Sequence, residues 1–169
     1  MDSPRAAVIV LCEPERAASH GDKTRAAVCA WLRAQNFTPD DGTALDLVPA
    51  ELSRAVESAR ERAELIVVCG GTGIGSRDIA PQTLKSLCDF EIPGIGEMLR
   101  AESLKFSLNS RLSRCAAYVS QGRLVLSIPG SAKASVEQLE ILKDLLPHAL
   151  EAVQGHCKSR RAPGIRGQG

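Results

Sequence analysis
The chain has 169 residues, 44% hydrophobic and 24% charged, with a formal net charge of +1. That is enough for one globular domain with a proper core and speaks against two full domains. Four basic residues, Lys158, Arg160, Arg161 and Arg166, crowd the C-terminal end and leave a slightly acidic body, so neither a nucleic-acid nor a membrane surface is expected.

In chain order, AAVIVLC (6–12) is a continuous apolar run of strand length. It is too short to span a bilayer and no cleavage site follows it, so no leader or anchor is expected there. Asp22 is expected to cap a helix in which Ala26, Ala27, Ala30, Trp31 and Ala34 recur at helical spacing. TALDLV (43–48) alternates like a strand, and Leu52, Val56, Ala59 and Ala63 then share one helical face. ELIVVC (64–69) is again continuously apolar, as a strand covered on both faces should be. A short helix with Pro81 in its first turn and another starting near Pro93 follow.

The stretch CAAYVSQGRLVLSIPG holds two strand-like runs turning at Gln121-Gly122, which predicts a hairpin. A helical stripe from Val136 to Val153 is interrupted by Pro147, where a break is expected. Alternating strands and helices predict an α/β fold: a three-layer α/β/α sandwich with a mostly parallel central sheet plus a small hairpin. The domain is expected over residues 1–155, with residues 156–169 a basic, disordered tail. The six cysteines are scattered without a Cys-x-x-Cys pair, several inside apolar runs, which is the usage of a reducing compartment and predicts a cytoplasmic protein. His156 beside Cys157 offers two ligands near a terminus, which do not make a zinc site.

Directly after the third strand the chain reads CGGTGIGSRDIA (69–80). Glycines at the carboxyl end of a parallel strand, just before a helix, let backbone N–H groups approach an anion, which favours a phosphate-bearing ligand. The stretch lacks the Gly-Lys-Ser/Thr ending of a P-loop and reads Gly-x-Gly-x-x-Ser from Gly71, so it fits neither common nucleotide fingerprint. The paired charges Arg77 and Asp78 stand beside it at the start of a helix, where a carboxylate is placed to cap N–H groups or to accept from a ligand.

GGTGIGSRDIAPQTL resembles the Gly-Gly-Thr-Gly-x-x-x-Arg-Asp-x-Thr-Pro-Glu signature of the molybdopterin-binding MogA/MoaB family, which includes the G domain of gephyrin. HGDKT (20–24), EIPGIGEMLR (91–100), RLSR (111–114), IPGSAKAS (128–135) and LLPHALEAV (145–153) are similar to further motifs of that family, so the resemblance covers nearly the whole chain. It implies a MogA/MoaB-like fold and a molybdopterin adenylyltransferase that uses ATP with Mg²⁺, giving adenylyl-molybdopterin and pyrophosphate. It also implies roles for residues. Gly70, Gly71, Thr72 and Gly73 would approach the substrate, Asp78 would hold the pterin, and Ser113, Pro129, Gly130, Ser131 and Lys133 would complete the binding site. Ser131 and Lys133 read equally well as a helix cap and a solvated charge.

One departure bears on catalysis. Active members carry Val/Ile-Pro-Asp-Glu after the second strand, and LVPAEL (47–52) puts Ala50 at the aspartate. A methyl group cannot coordinate Mg²⁺, leaving Asp78 and Glu51 as the catalytic set, with Glu51 the substitute, and Glu51 and Asp46 as candidate metal ligands. Glu13-Pro14 and Ser127 are smaller departures. Two readings follow: an adenylyltransferase, or a non-catalytic molybdopterin-binding carrier or regulatory relative. The resemblance further implies a homotrimer and other molybdenum cofactor biosynthesis proteins as partners.

Overall fold
In β1 (Arg5–Leu11) and β4 (Leu65–Cys69) alternate side chains enter two separate cores, which is why both strands read as unbroken apolar runs. Ala6, Val8, Val10, Leu65, Val67 and Cys69 face one core, and Ala7, Ile9, Leu11, Ile66 and Val68 face the other. The structure, a computed structural model, describes residues 3–155; the basic tail and the His156-Cys157 pair lie outside them.

The sheet has the order β2-β1-β4-β7-β6-β5, with β3 also paired to β1. Here β2 is Thr38–Pro39, β3 is Thr43–Leu45, β5 is Phe90–Ile92, β6 is Ala116–Ser120 and β7 is Arg123–Ile128. Strands β1 to β4 and β7 pair in parallel, and β6 runs antiparallel to both β5 and β7. On the first face lie α2 (Asp22–Ala34), α5 (Pro93–Ser103), α6 (Ala132–Leu142) and α7 (Leu146–Val153). On the second lie α3 (Pro49–Arg60) and α4 (Ala80–Leu87). The three-layer sandwich with a mostly parallel sheet is the expected architecture, and the expected hairpin joins β6 and β7 at Gln121 (φ 50°) and Gly122 (φ 72°). Four of the longer helices, α3, α4, α5 and α7, start with proline in the first turn, where its missing N–H costs nothing. Pro147 separates α6 from α7 as its chemistry requires.

The structure departs from the sequence reading at three places. Asp22 does not cap α2, because a short helix α1 (Pro14–Arg16) and a wide turn (Ala17–Gly21) run straight into it and Gly21 is already helical; the Asp22 carboxylate accepts from Arg25 instead, at 3.0 Å. The strand expected over 43–48 ends at Leu45, since only Thr43 to Leu45 meet the end of β1 and Val48 N–H then turns back to the Asp46 carbonyl. The short strands β2 and β5 carry no run long enough to show periodicity; β2 even contains Pro39, tolerable on an edge strand.

Candidate functional site
The ends of the parallel strands set the position of the site. Leu11 pairs with Leu45, Val10 with Cys69, and Cys69 with Ile128, so Cys12, Asp46, Gly70 and Pro129 all emerge at one edge of the sheet. From β1 the chain passes to α2 on the first face, and from neighbouring β4 to α4 on the second. The connections diverge between these two strands, which opens the crevice where doubly wound sheets bind ligands.

The glycine loop fills that crevice, and its glycines answer to specific contacts. Gly70 has φ +109°, and a β-carbon there would lie 2.4 Å from the Leu11 carbonyl oxygen. A β-carbon on Gly73 would lie 2.6 Å from Asp78 Oδ2. Asp78 itself folds back on the loop: its Oδ2 accepts from Gly75 N–H at 2.8 Å, and its N–H donates to the Gly75 carbonyl. It therefore caps an N–H upstream rather than one of α4, whose N-cap Ile79 makes no side-chain cap. Arg77 does not pair with Asp78 but reaches Glu13 after β1 (2.6 Å) and Asp46 after β3 (3.6 Å).

Arg114 braces the loop from outside. Its N–H donates to the Thr72 carbonyl (2.9 Å), Nε to the Gly73 carbonyl (2.6 Å), Nη2 to the Asp78 carbonyl (2.6 Å) and Nη1 to Gln82 Oε1 (2.9 Å). The Gly71 carbonyl accepts from Ala80 N–H. The carbonyls of Gly71, Thr72 and Gly73 are thus occupied, while the N–H groups of the same three residues donate to nothing among the described residues. A second brace comes from buried Thr24, which donates to the Gly130 carbonyl at 2.8 Å, and Ser135 donates to the Pro129 carbonyl at 2.7 Å. These bonds press the Pro129-Gly130 turn onto the loop so closely that a β-carbon on Gly130 would lie 3.1 Å from Gly70 Cα.

Two clefts flank the loop. One, of about 320 Å³, is lined by Gly70, Gly71, Thr72, Gly73, Asp78 and Gly130 together with Cys12, Glu13, Arg16, His20 and Arg77. The other, of about 570 Å³, lies between the loop and α5 and is lined by Ile74, Ser113 and Tyr118 with four cations, Lys85, Arg100, Arg111 and Arg114. Burial, reinforced by Asp46 and Asp22, raises the Cys12 thiol above its ordinary pKa, so it is a neutral wall and not a nucleophile at pH 7. Burial, then Glu91, pushes the Tyr118 phenol up to about 12, which keeps it a donor, here to the Pro81 carbonyl at 3.3 Å.

Of the residues expected at the site, Gly70, Gly71, Thr72, Gly73, Asp78 and Gly130 meet on the smaller cleft, and Ser113 lines the larger one. Asp46 does not line the smaller cleft but bonds two residues that do, Arg77 at 3.6 Å and the Leu47 N–H at 2.7 Å. Glu51 stands in the first turn of α3, and neither it nor Pro129, Ser131 or Lys133 is a lining residue of either cleft. Ser131 caps α6 by accepting from Ala134 N–H at 3.3 Å, and Lys133 is exposed, 3.8 Å from Glu137. Ala50 is exposed. No group of three or more His, Cys, Asp or Glu side chains among the described residues is arranged to hold a metal. Sequence reasoning passed over Arg114 and Thr24, although both lie inside quoted motifs; a residue type rich in donors next to a loop rich in carbonyls was the available signal.

Comparison with known proteins agrees with this fold. The family model described as a probable molybdopterin binding domain matches residues 9–148. A molybdenum cofactor biosynthesis bifunctional protein of Synechococcus elongatus is 32% identical over 151 residues, covering 89% of this chain and 47% of that protein. The molybdopterin adenylyltransferase of Escherichia coli K12 is 28% identical over 166 residues, covering 93% and 85%. The crystal structure of the molybdopterin biosynthesis enzyme MoaB from Thermus thermophilus superposes with a TM-score of 0.81 at 30% identity, covering 90% of this chain and 97% of that one. The chain spans about half the length of the first curated relatives it matches, 47% and 53%.

Proposed function
The chain belongs to the molybdopterin-binding domain family of MoaB and MogA, and on that premise we propose that it binds molybdopterin and adenylylates it with ATP. The observation that carries this reading is the glycine loop in which the carbonyls of Gly71, Thr72 and Gly73 are bonded away while the N–H groups of the same residues are left over, between two clefts that both contain cations. Phosphate oxygens suit those donors. In a nucleotidyl transfer an oxygen of molybdopterin attacks the α-phosphorus of ATP in line with departing pyrophosphate, so the protein mainly positions groups and spreads charge.

In this account Gly70, Gly71, Thr72 and Gly73 hold phosphate and the free edge of Asp78 accepts from the pterin. Ser113 and the cations of the larger cleft take the remaining anionic part of the substrates. The turn containing Pro129, Gly130, Ser131 and Lys133 supports the loop from the other side. Magnesium enters with ATP as part of the substrate. Glu13 and Asp78 are the carboxylates lining the smaller cleft; Asp46 and Glu51 are the nearest in sequence to Ala50. The proposed setting is the cytoplasm, in keeping with the free cysteines among the described residues. No helix among those residues is long and apolar enough to cross a membrane. A homotrimer is proposed from the family, and Phe106, Leu108 and Leu112, which are 54 to 75% exposed, offer apolar surface for packing between copies.

Ala50 favours a second reading, a carrier that holds molybdopterin without transferring the adenylyl group, because an exposed methyl stands where active relatives place a carboxylate. Purified protein with molybdopterin, ATP and Mg²⁺ separates the two: molybdopterin-dependent pyrophosphate release supports the enzyme, and pterin binding without release supports the carrier. In the same assay Ala50→Asp should raise turnover at least ten-fold if only that carboxylate limits the chemistry; unchanged turnover would place the limit elsewhere.

A further inference from the structure
Arg77 is the one basic residue in the glycine loop, and in the free protein it is already in use. Nη1 lies 2.6 Å from Glu13 Oε1 and Nη2 lies 3.6 Å from Asp46 Oδ1. Asp46 Oδ1 also accepts from Leu47 N–H at 2.7 Å, so that carboxylate is fixed by its own turn. Glu13 has no such second tie among the described residues, and it lines the smaller cleft together with Arg77 and the loop glycines. The guanidinium, 59% exposed, is therefore held by a fixed carboxylate on one side and a releasable one on the other.

We propose that Arg77 is exchanged between Glu13 and a phosphate of the incoming ligand, which makes Glu13 a residue that sets the affinity of the cleft for phosphate-bearing compounds. This rests on reading the glycine-loop cleft as a phosphate site. An exposed ion pair holds its partners by roughly five-fold or less in equilibrium terms, so the Glu13 contact is easily displaced. A phosphate group offers the guanidinium fork two oxygens and more charge than a carboxylate, and so takes its place. Asp46 keeps the guanidinium at the cleft mouth when Glu13 lets go. While Glu13 and a phosphate compete for the same cation, every ligand that binds must first displace Glu13.

The test is calorimetric titration of the full chain with ATP and, separately, with inorganic pyrophosphate, for wild type, Glu13→Gln, Arg77→Gln and the double variant. All the side chains changed are substantially exposed, so the fold is retained. Exchange predicts that Glu13→Gln binds both ligands about three- to five-fold more tightly. It predicts that Arg77→Gln binds them about ten-fold more weakly. The gain from Glu13→Gln should vanish when Arg77 is already Gln. A gain of the same size in the Arg77→Gln background would show that Glu13 acts only as a repelling charge, and no gain at all would show no competition; either overturns the proposal. If ATP fails to bind wild type while pyrophosphate gives the predicted pattern, the exchange stands and the adenylyltransferase reading falls.

Discussion
Arg114 carries more of the site than its place in the sequence suggested. One guanidinium and one N–H make four hydrogen bonds, three of them to carbonyls of the glycine loop. Arg114→Ala would keep the backbone bond to Thr72 but leave the Gly73 carbonyl without a partner and Asp78 with Gln82 alone, freeing the loop to rotate its N–H groups away from the cleft. Hydrogen exchange at the bonded amides Gly75, Asp78 and Ala80 should then quicken by at least ten-fold and ATP affinity fall by about ten-fold, with strand amides of β1 and β4 unaffected. Unchanged exchange in the loop would show that the Pro129-Gly130 turn holds it unaided. At this scale the motifs were legible but the division of labour inside them was not. RLSR pointed to Ser113, yet Ser113 Oγ accepts from its own neighbour Cys115 N–H, and it is Arg114 that reaches across 41 residues to Gly73. HGDKT marked the family motif without singling out a contact, and it is buried Thr24 that fixes the turn beside the loop. Long-range side-chain to backbone bonds leave no periodic trace in a sequence, and this site is made of them.

Glu64 shows how the elements are joined at the opposite end of the sheet. Its N–H donates to the Arg5 carbonyl, its carboxylate accepts from Arg5 N–H (2.7 Å) and Nη2 (2.8 Å), and its carbonyl accepts from Leu124 N–H, so one residue ties the starts of β1, β4 and β7. Burial alone would raise the Glu64 carboxyl pKa, but the Arg5 guanidinium and N–H outweigh it and leave the group below the ordinary glutamate value. A depressed folded-state pKa contributes stability that is present above the unfolded value and lost as pH falls through the folded one. Glu64→Gln should therefore lower the melting temperature at pH 7 by no more than about 3 °C, since the Arg5 side of the pair is exposed to solvent. The gap to wild type should close as the pH drops below about 4. A gap that persisted at pH 2 would mean the loss comes from packing and not from charge. The long apolar strands, the hairpin and the proline-started helices were readable because burial on two faces, turn chemistry and missing N–H groups act locally. Edge strands β2 and β5 were not, since two or three residues paired to a neighbour carry no pattern of their own.

For the whole molecule, the doubly wound arrangement explains why motifs spread from residue 20 to residue 135 converge. Four parallel strands end at the same edge, and the loop after each contributes: Cys12 and Glu13 after β1, Asp46 after β3, the glycine loop after β4, and Pro129-Gly130 after β7. Alternation of strands and helices was enough to predict the mostly parallel sheet, while the convergence of the loops and the pairing of Arg77 with Glu13 and Asp46 needed the fold. Both the enzyme and the carrier reading require molybdopterin to bind at the glycine loop. Gly73→Ala addresses that requirement, because its β-carbon would displace the Asp78 carboxylate while neither core is touched. The decisive measurement is a fluorescence titration of wild type and Gly73→Ala with molybdopterin, with circular dichroism to confirm a common fold. The account predicts saturable binding by wild type and a loss of about ten-fold or more in the variant. Equal binding by the two folded proteins, or none by wild type, would contradict it.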